Sequence, residues 1–180
     1  MGFIILGIGG ILAALMLLQK KKDGPAPFYD FTDPAPAAPA PDWSGSIDSM
    51  ISYAASKYHV DANLVRAVAM TESSLNPNAV NPSDPSYGLM QIMPILAEDF
   101  GIVKDYHNPT AAEIAMIKDP QTNLRIGAWH LSRLLAEYPF DVAIQMYNVG
   151  ERGFNEGRRA PDYLKKVKGY YDAYRNNSIG

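Results

Sequence analysis

The sequence predicts a mainly α-helical globular domain, preceded by an apolar run and a proline-rich spacer. Three observations carry that prediction. From Ser44 onward, apolar residues recur at three- and four-residue spacing, the period of a helix with one buried face. The segments between these stretches are rich in Asn, Pro, Gly and Ser, which suit turns. No convincing alternation of apolar and polar residues marks a strand, and no internal repeat is evident.

Four or more helices are expected. "SIDSMISYAASKYHV" puts Ile47, Met50, Ile51 and Ala54 on one face, with Ser46 as its N-cap. "DANLVRAVAMTESS" follows, with Asp61 as N-cap and an apolar face of Leu64, Val65, Val68, Ala69 and Met70. The longest, "DPQTNLRIGAWHLSRLLAEY", carries a stripe of Leu124, Gly127, Ala128, Leu131, Leu134 and Leu135, and Pro139 lies just beyond it. "DVAIQMYN" is a short apolar helix closed by Gly150. "PDYLKKVKGYYDAY" opens on Pro161 in its first turn, where a missing N–H costs nothing, and turns Tyr163, Leu164, Val167, Tyr170 and Tyr171 inward.

Ahead of this domain, Gly2 to Leu18 ("GFIILGIGGILAALMLL") carries no charge. At about 1.5 Å per residue it would span roughly 26 Å, near the thickness of a hydrocarbon core. Residues 1–19 therefore read as a transmembrane anchor. A cleaved signal peptide is the competing reading, but its positive charge precedes the apolar run; here Lys20, Lys21 and Lys22 follow it. Residues 20–43 form a linker, lysines first and then Ala-Pro repeats that favour extended polyproline geometry and reach on the order of 50 Å. The globular domain is assigned to residues 44–180.

Composition narrows the chemistry. The 180 residues carry a net charge of −3, which gives no reason to expect nucleic acid as a partner. Absence of cysteine excludes disulfides, thiol catalysis and cysteine-ligated metals. The three histidines, His59, His107 and His130, are scattered and form no metal constellation; neither metal nor cofactor is expected.

Glu72 is the residue that stands out. It falls four residues after Val68 and seven after Val65, so a carboxylate sits on or beside a core-facing stripe. In an apolar wall the charged form is disfavoured and the pKa rises, which makes a proton donor of the kind glycosidases use. A structural acid satisfied by Arg66, Lys57 or a backbone amide fits the spacing as well. Downstream, Gly88 sits at a turn followed by Leu89, Met90 and Ile92, with Gln91 an isolated amide among apolar neighbours. That amide suits either sugar binding or pairing with loop backbone. Tyr147 and Asn148 end an apolar helix just before Gly150.

In order and spacing, "TESSLNP", "YGLMQIMP", "AIQMYNVG" and "PDYLKKV" resemble the soluble lytic transglycosylase catalytic domain, family 23 of the glycoside hydrolases, related to goose-type lysozyme. The resemblance covers about Ile47 to Tyr174. It implies a lysozyme-like fold with a cleft for glycan, and Glu72 as the sole catalytic acid. Ser73 would help hold the substrate, Gly88, Leu89, Met90 and Gln91 would line the cleft floor, Tyr147 and Asn148 would face Glu72, and Tyr163 would match the tyrosine of the last motif. "SDPSYGLMQ" departs from the family's Gly-Ala-x-Gly turn through Pro85 and Tyr87, which stiffen that loop.

The implied reaction cleaves the bond between MurNAc and GlcNAc of peptidoglycan and closes the MurNAc 6-hydroxyl on C1, giving 1,6-anhydroMurNAc. A muramidase hydrolysing the same bond, with Asp84 as the nearest acidic candidate to orient water, is one alternative; a lysozyme-like module that grips glycan without cutting is another. Topology adds a tension: the lysines favour a cytoplasmic domain, whereas the wall lies outside the membrane. Either the charge rule is overridden and the domain is exported, or the chain belongs to a phage virion or a secretion apparatus that delivers it.

Overall fold

The computed structural model describes residues 45–177; the expected anchor over residues 1–19 and linker over 20–43 lie outside them. Helix α1 spans Ile47–Lys57 and buries Ile51, Ala54 and Ala55. Ser46 does occupy its N-cap position but its hydroxyl caps nothing; Ser49 Oγ instead donates to the Ser46 carbonyl at 2.7 Å. Helix α2, Ala62–Ser73, is capped as expected: the Asp61 carboxylate accepts from Asn63 N at 2.8 Å. It buries Leu64, Val65, Ala67, Val68 and Ala69, and ends on Ser74 and Leu75, both in the left-handed region.

After α2 the chain forms something the sequence did not announce. Val80–Asn81 (β1) and Ser86–Tyr87 (β2) pair antiparallel, Val80 opposite Tyr87 and Asn81 opposite Ser86. Two residues per strand are too few to show alternation, and the intervening "PSDP" reads equally well as plain loop. Tyr87 also bridges Ile92, so the turn between them, residues 88–91, is closed by Tyr87 N to Ile92 O at 3.1 Å and Ile92 N to Tyr87 O at 2.9 Å.

Three short helices join those expected. Helix α3 is Pro94–Asp99, with proline in its first turn. Helix α4, Ala111–Lys118, starts with a capping box in which Thr110 and Glu113 satisfy each other's backbone amides. Helix α5, Pro120–Glu137, is the longest; Asp119 caps it, accepting from Thr122 N at 2.9 Å. Helix α6, Phe140–Val149, follows Pro139 and stops at Gly150, whose φ of 71° few other residues adopt without strain. Helix α7, Glu151–Asn155, leads to α8, Pro161–Arg175.

One core joins these helices. Val65 and Val68 of α2, Leu124 and Leu131 of α5, Ile144 of α6 and Val167 of α8 are all inaccessible to solvent and belong to one cluster with the 89–92 segment. Helix α5 runs through the middle, in contact with α1, α2, α4 and α6, while α8 lies across α2 and α6. That arrangement brings the C-terminal end of α2, the 88–91 turn, α6 and the start of α8 together. Among the described residues no helix is long and apolar enough to cross a membrane.

Candidate active site

Glu72 is the penultimate residue of α2 and keeps only partial contact with solvent. Tyr163, in the first turn of α8, donates its phenolic hydrogen to Glu72 Oε1 at 2.6 Å. Burial raises the Glu72 pKa from 4.5 to about 7, and the Tyr163 hydrogen bond pulls the other way. No charged neighbour contributes to that shift. The ion-paired alternative is not what the structure has: Arg66 pairs with Asp48 at 2.7 Å, and among the described residues Glu72 forms no salt bridge. A carboxylic acid near half-protonation at neutral pH, held by one neutral hydroxyl, can both give and take a proton.

Tyr147 lies close enough for the Glu72 charge to be felt. Burial first, then that charge, pushes the Tyr147 phenol well above its ordinary pKa, so it stays a hydrogen-bond donor; its Oη donates to the Met90 carbonyl at 3.1 Å. Burial does the same to Tyr163, reinforced by Glu72 and Tyr147. Asn148, the next residue, is exposed.

The 88–91 turn is built differently from the expected floor. Leu89 and Met90 are 0% exposed, so their side chains belong to the core and do not line an open surface. They reach the site through their backbone: Ser73 Oγ donates to the Leu89 carbonyl at 2.8 Å, and the Met90 carbonyl takes Tyr147. Gln91, at a left-handed φ of 48°, ties the loop to itself, Nε2 donating to the Gly88 carbonyl at 3.0 Å and Oε1 accepting from Ser86 Oγ at 2.9 Å. The backbone-pairing reading of that amide describes this structure. Asp84 sits at the exposed hairpin tip.

Asn123 is the residue that sequence reading passed over. It is 0% exposed and satisfied on every side: Oδ1 accepts from Met90 N at 2.8 Å, and Nδ2 donates to the carbonyls of Tyr87 at 2.7 Å and Ile117 at 2.9 Å. Gly88, at φ 75°, has to be glycine on two counts, because a Cβ would also meet Asn123 Nδ2 at 2.5 Å. Gly127, one turn along α5 from Asn123, leaves the space that Met90 Sδ fills. Next along the same face, His130 packs its ring 5.4 Å from that of Tyr147. Asn123 was legible in principle: it precedes Gly127 and Leu131 at four-residue spacing, a polar side chain on an apolar stripe.

With this geometry the fold is that of the mainly helical, lysozyme-like lytic transglycosylase domains. The 70 kDa soluble lytic transglycosylase SLT70 from Escherichia coli superposes with a TM-score of 0.57 at 26% identity, covering 73% of this chain and 24% of that one. An inactive mutant of lytic transglycosylase Slt from Pseudomonas aeruginosa superposes with a TM-score of 0.56 at 19% identity, with the same coverage of 73% and 24%. The chain belongs to the Transglycosylase SLT domain family, whose model matches residues 49–168.

Among curated relatives, the "Transglycosylase" of Enterobacteria phage PRD1 is 32% identical over 118 residues, 65% of this chain and 40% of the relative. "Membrane-bound lytic murein transglycosylase E" of Buchnera aphidicola (subsp. Acyrthosiphon pisum, strain APS) is 34% identical over 93 residues, 51% of this chain and 40% of the relative. The matched region spans 40% of the length of each of these relatives.

Proposed function

We propose that this domain is a lytic transglycosylase that cleaves the MurNAc-β-1,4-GlcNAc bond of peptidoglycan and leaves 1,6-anhydroMurNAc ends. The observation that carries the reading is a carboxylic acid whose pKa burial raises to about 7 and which, among the described residues, forms no salt bridge, in a domain of this family. Glu72 gives its proton to the glycosidic oxygen as the bond to C1 breaks, and the 4-hydroxyl of GlcNAc leaves. Glu72, now a carboxylate, takes the proton of the MurNAc 6-hydroxyl as O6 bonds to C1. The acid is restored and no water is consumed. Because the attacking hydroxyl belongs to the same sugar, its approach is already arranged, and no second carboxylate is needed to direct water.

Tyr163 orients the acid and stabilises its charged intermediate state, which suits a group that must reverse roles within one turnover. Ser73, Gly88, Leu89, Met90, Gln91 and Tyr147 act as the support that fixes Glu72 and its surroundings, and Asn148 is free to meet the glycan. Residues 1–19 tether the domain to a membrane, with 20–43 as spacer; relatives described as phage-borne and as membrane-bound support a wall-directed role, either exported or delivered by a virion or secretion apparatus.

Digestion of purified sacculi followed by mass spectrometry tests the reaction. Wild type releases anhydro-ended fragments, and Glu72→Gln, which preserves shape, lowers their release at least about a thousandfold if the acid supplies the proton for both half-steps. Reducing ends in place of anhydro ends would make the enzyme a muramidase. Undigested strands would leave a glycan-binding module.

A further inference from the structure

The segment between α7 and α8 holds two arginines that the reaction does not use. Elsewhere Arg66, Arg133 and Arg152 are each paired with a carboxylate. Arg158 and Arg159 are exposed, and among the described residues neither forms a salt bridge. Exposed and unpaired, such side chains would ordinarily move freely. These two are seated. Arg159 stacks its guanidinium 3.8 Å over the Phe154 ring, and Nη1 donates to the carbonyls of Phe154 and Arg158, each at 2.7 Å. Arg158 lies flat on buried Gly153: a Cβ there would run into its Nη2, Cζ and Nε atoms. Glycine inside a helix costs about 1 kcal/mol relative to alanine, so its presence in α7 is explained by what it seats.

The pair also leads directly into the helix whose first turn holds the acid. Arg159 stands four residues before Tyr163, so their Cα atoms are at most about 14 Å apart, and Tyr163 holds Glu72 at 2.6 Å. Over residues 156–166, Arg158, Arg159, Lys165 and Lys166 are exposed, against the exposed acids Asp162 and Glu156, the latter paired with Arg152. A planar guanidinium held in place matches a carboxylate in geometry and charge.

We propose that Arg158 and Arg159 form a fork for a carboxylate carried on the 3-O-lactyl substituent of muramic acid, either the stem peptide's own or that of the lactyl group once the peptide is removed. The inference rests on the glycan-cleaving function above and adds to it: the substituent beside the scissile bond, and not the sugar chain alone, sets how well a strand is held.

The test uses the full chain on two substrates, strands that keep their stem peptides and strands stripped of them by an amidase. Arg158→Gln removes the charge; Gly153→Ala moves only the far end of Arg158 and should not harm the helix; Arg158→Lys keeps charge without the fork. Circular dichroism verifies each fold. Both Arg158→Gln and Gly153→Ala are expected to raise KM about tenfold with kcat unchanged, and Arg158→Lys to fall between them and wild type. A rise confined to peptide-bearing strands assigns the stem carboxylate; a rise confined to stripped strands assigns the lactyl carboxylate, which is an amide while the peptide is attached; a rise on both shows that the fork takes whichever carboxylate the strand carries. Unchanged KM on both strands overturns the fork while leaving the reaction standing. Wild type that cleaves neither strand, like Glu72→Gln, overturns the reaction and the fork with it.

Discussion

Glu72 and His130 titrate in opposite senses, and their opposition sets a stability profile. The folded Glu72 holds its proton up to about 7 against 4.5 when unfolded. Its contribution is therefore fully present below 4.5 and is lost as pH rises through about 7. Burial lowers His130 to about 4 from 6.5, with the Arg133 charge adding to it. That contribution is present above 6.5 and is lost as pH falls through about 4. Each contribution has a ceiling of about 3 kcal/mol. Between 4.5 and 6.5 the slopes cancel, so wild-type stability should vary little from these two groups. Urea unfolding at pH 4.5, 6 and 8 exposes each one. Glu72→Gln should gain stability as pH rises from 4.5 to 6.5 and exceed wild type at pH 8 by about 2–3 kcal/mol; His130→Phe should lose stability from pH 4.5 to about 7 and then level off. Parallel curves for wild type and Glu72→Gln would mean that the acid is not desolvated. The gain on removing Glu72 is the measure of what the fold gives up to keep an acid in an apolar wall.

At the scale of elements, α5 does more for the site than its lack of catalytic groups suggests. Asn123 holds Met90 N, Gly127 makes room for the Met90 thioether, and His130 packs on the tyrosine that holds the Met90 carbonyl. One residue of the turn is thus clamped from three directions, and the Leu89 carbonyl beside it anchors Ser73, the neighbour of Glu72. Asn123→Leu would take away the side-chain partner of Met90 N and of the Ile117 carbonyl, and would leave the Tyr87 carbonyl with Ile92 N as its remaining donor. A loss of about 3 kcal/mol or more is expected in urea unfolding, together with reduced cleavage, although Asn123 touches no substrate. A loss below about 1 kcal/mol would show that the turn is held by its own closure. Helix α4 teaches a related point about reading elements. "AAEIAMIK" lacks a one-sided apolar pattern, so periodicity passes over it, yet Thr110 and Glu113 spell the capping box that starts it.

Across the molecule, what could be read in advance was what repeats. Helices α2, α5 and α8 present several turns of apolar spacing, and two of the family motifs lie at the end of α2 and the start of α8, which is why Glu72 and Tyr163 could be named together. What escaped were features fixed by single long-range contacts: the two-residue strands, the burial of Leu89 and Met90, and the Asn123 clamp, whose partners lie 33 and 36 residues away. The same division frames the last prediction. The apolar run over residues 1–19 is a local pattern, and among the described residues the core cluster draws on residues from Ile51 to Tyr174. Removing residues 1–44 should therefore leave a protein that stays in solution and digests purified sacculi at the full chain's rate, since sacculi in suspension meet the domain without a tether. The intact chain should remain with membranes through an alkaline carbonate wash that strips peripheral proteins. Release of the intact chain by that wash would refute the anchor. A truncated protein that folds but cuts far more slowly would show that the segment serves catalysis directly, because a tether acts only by confining the domain near a wall that purified sacculi already supply.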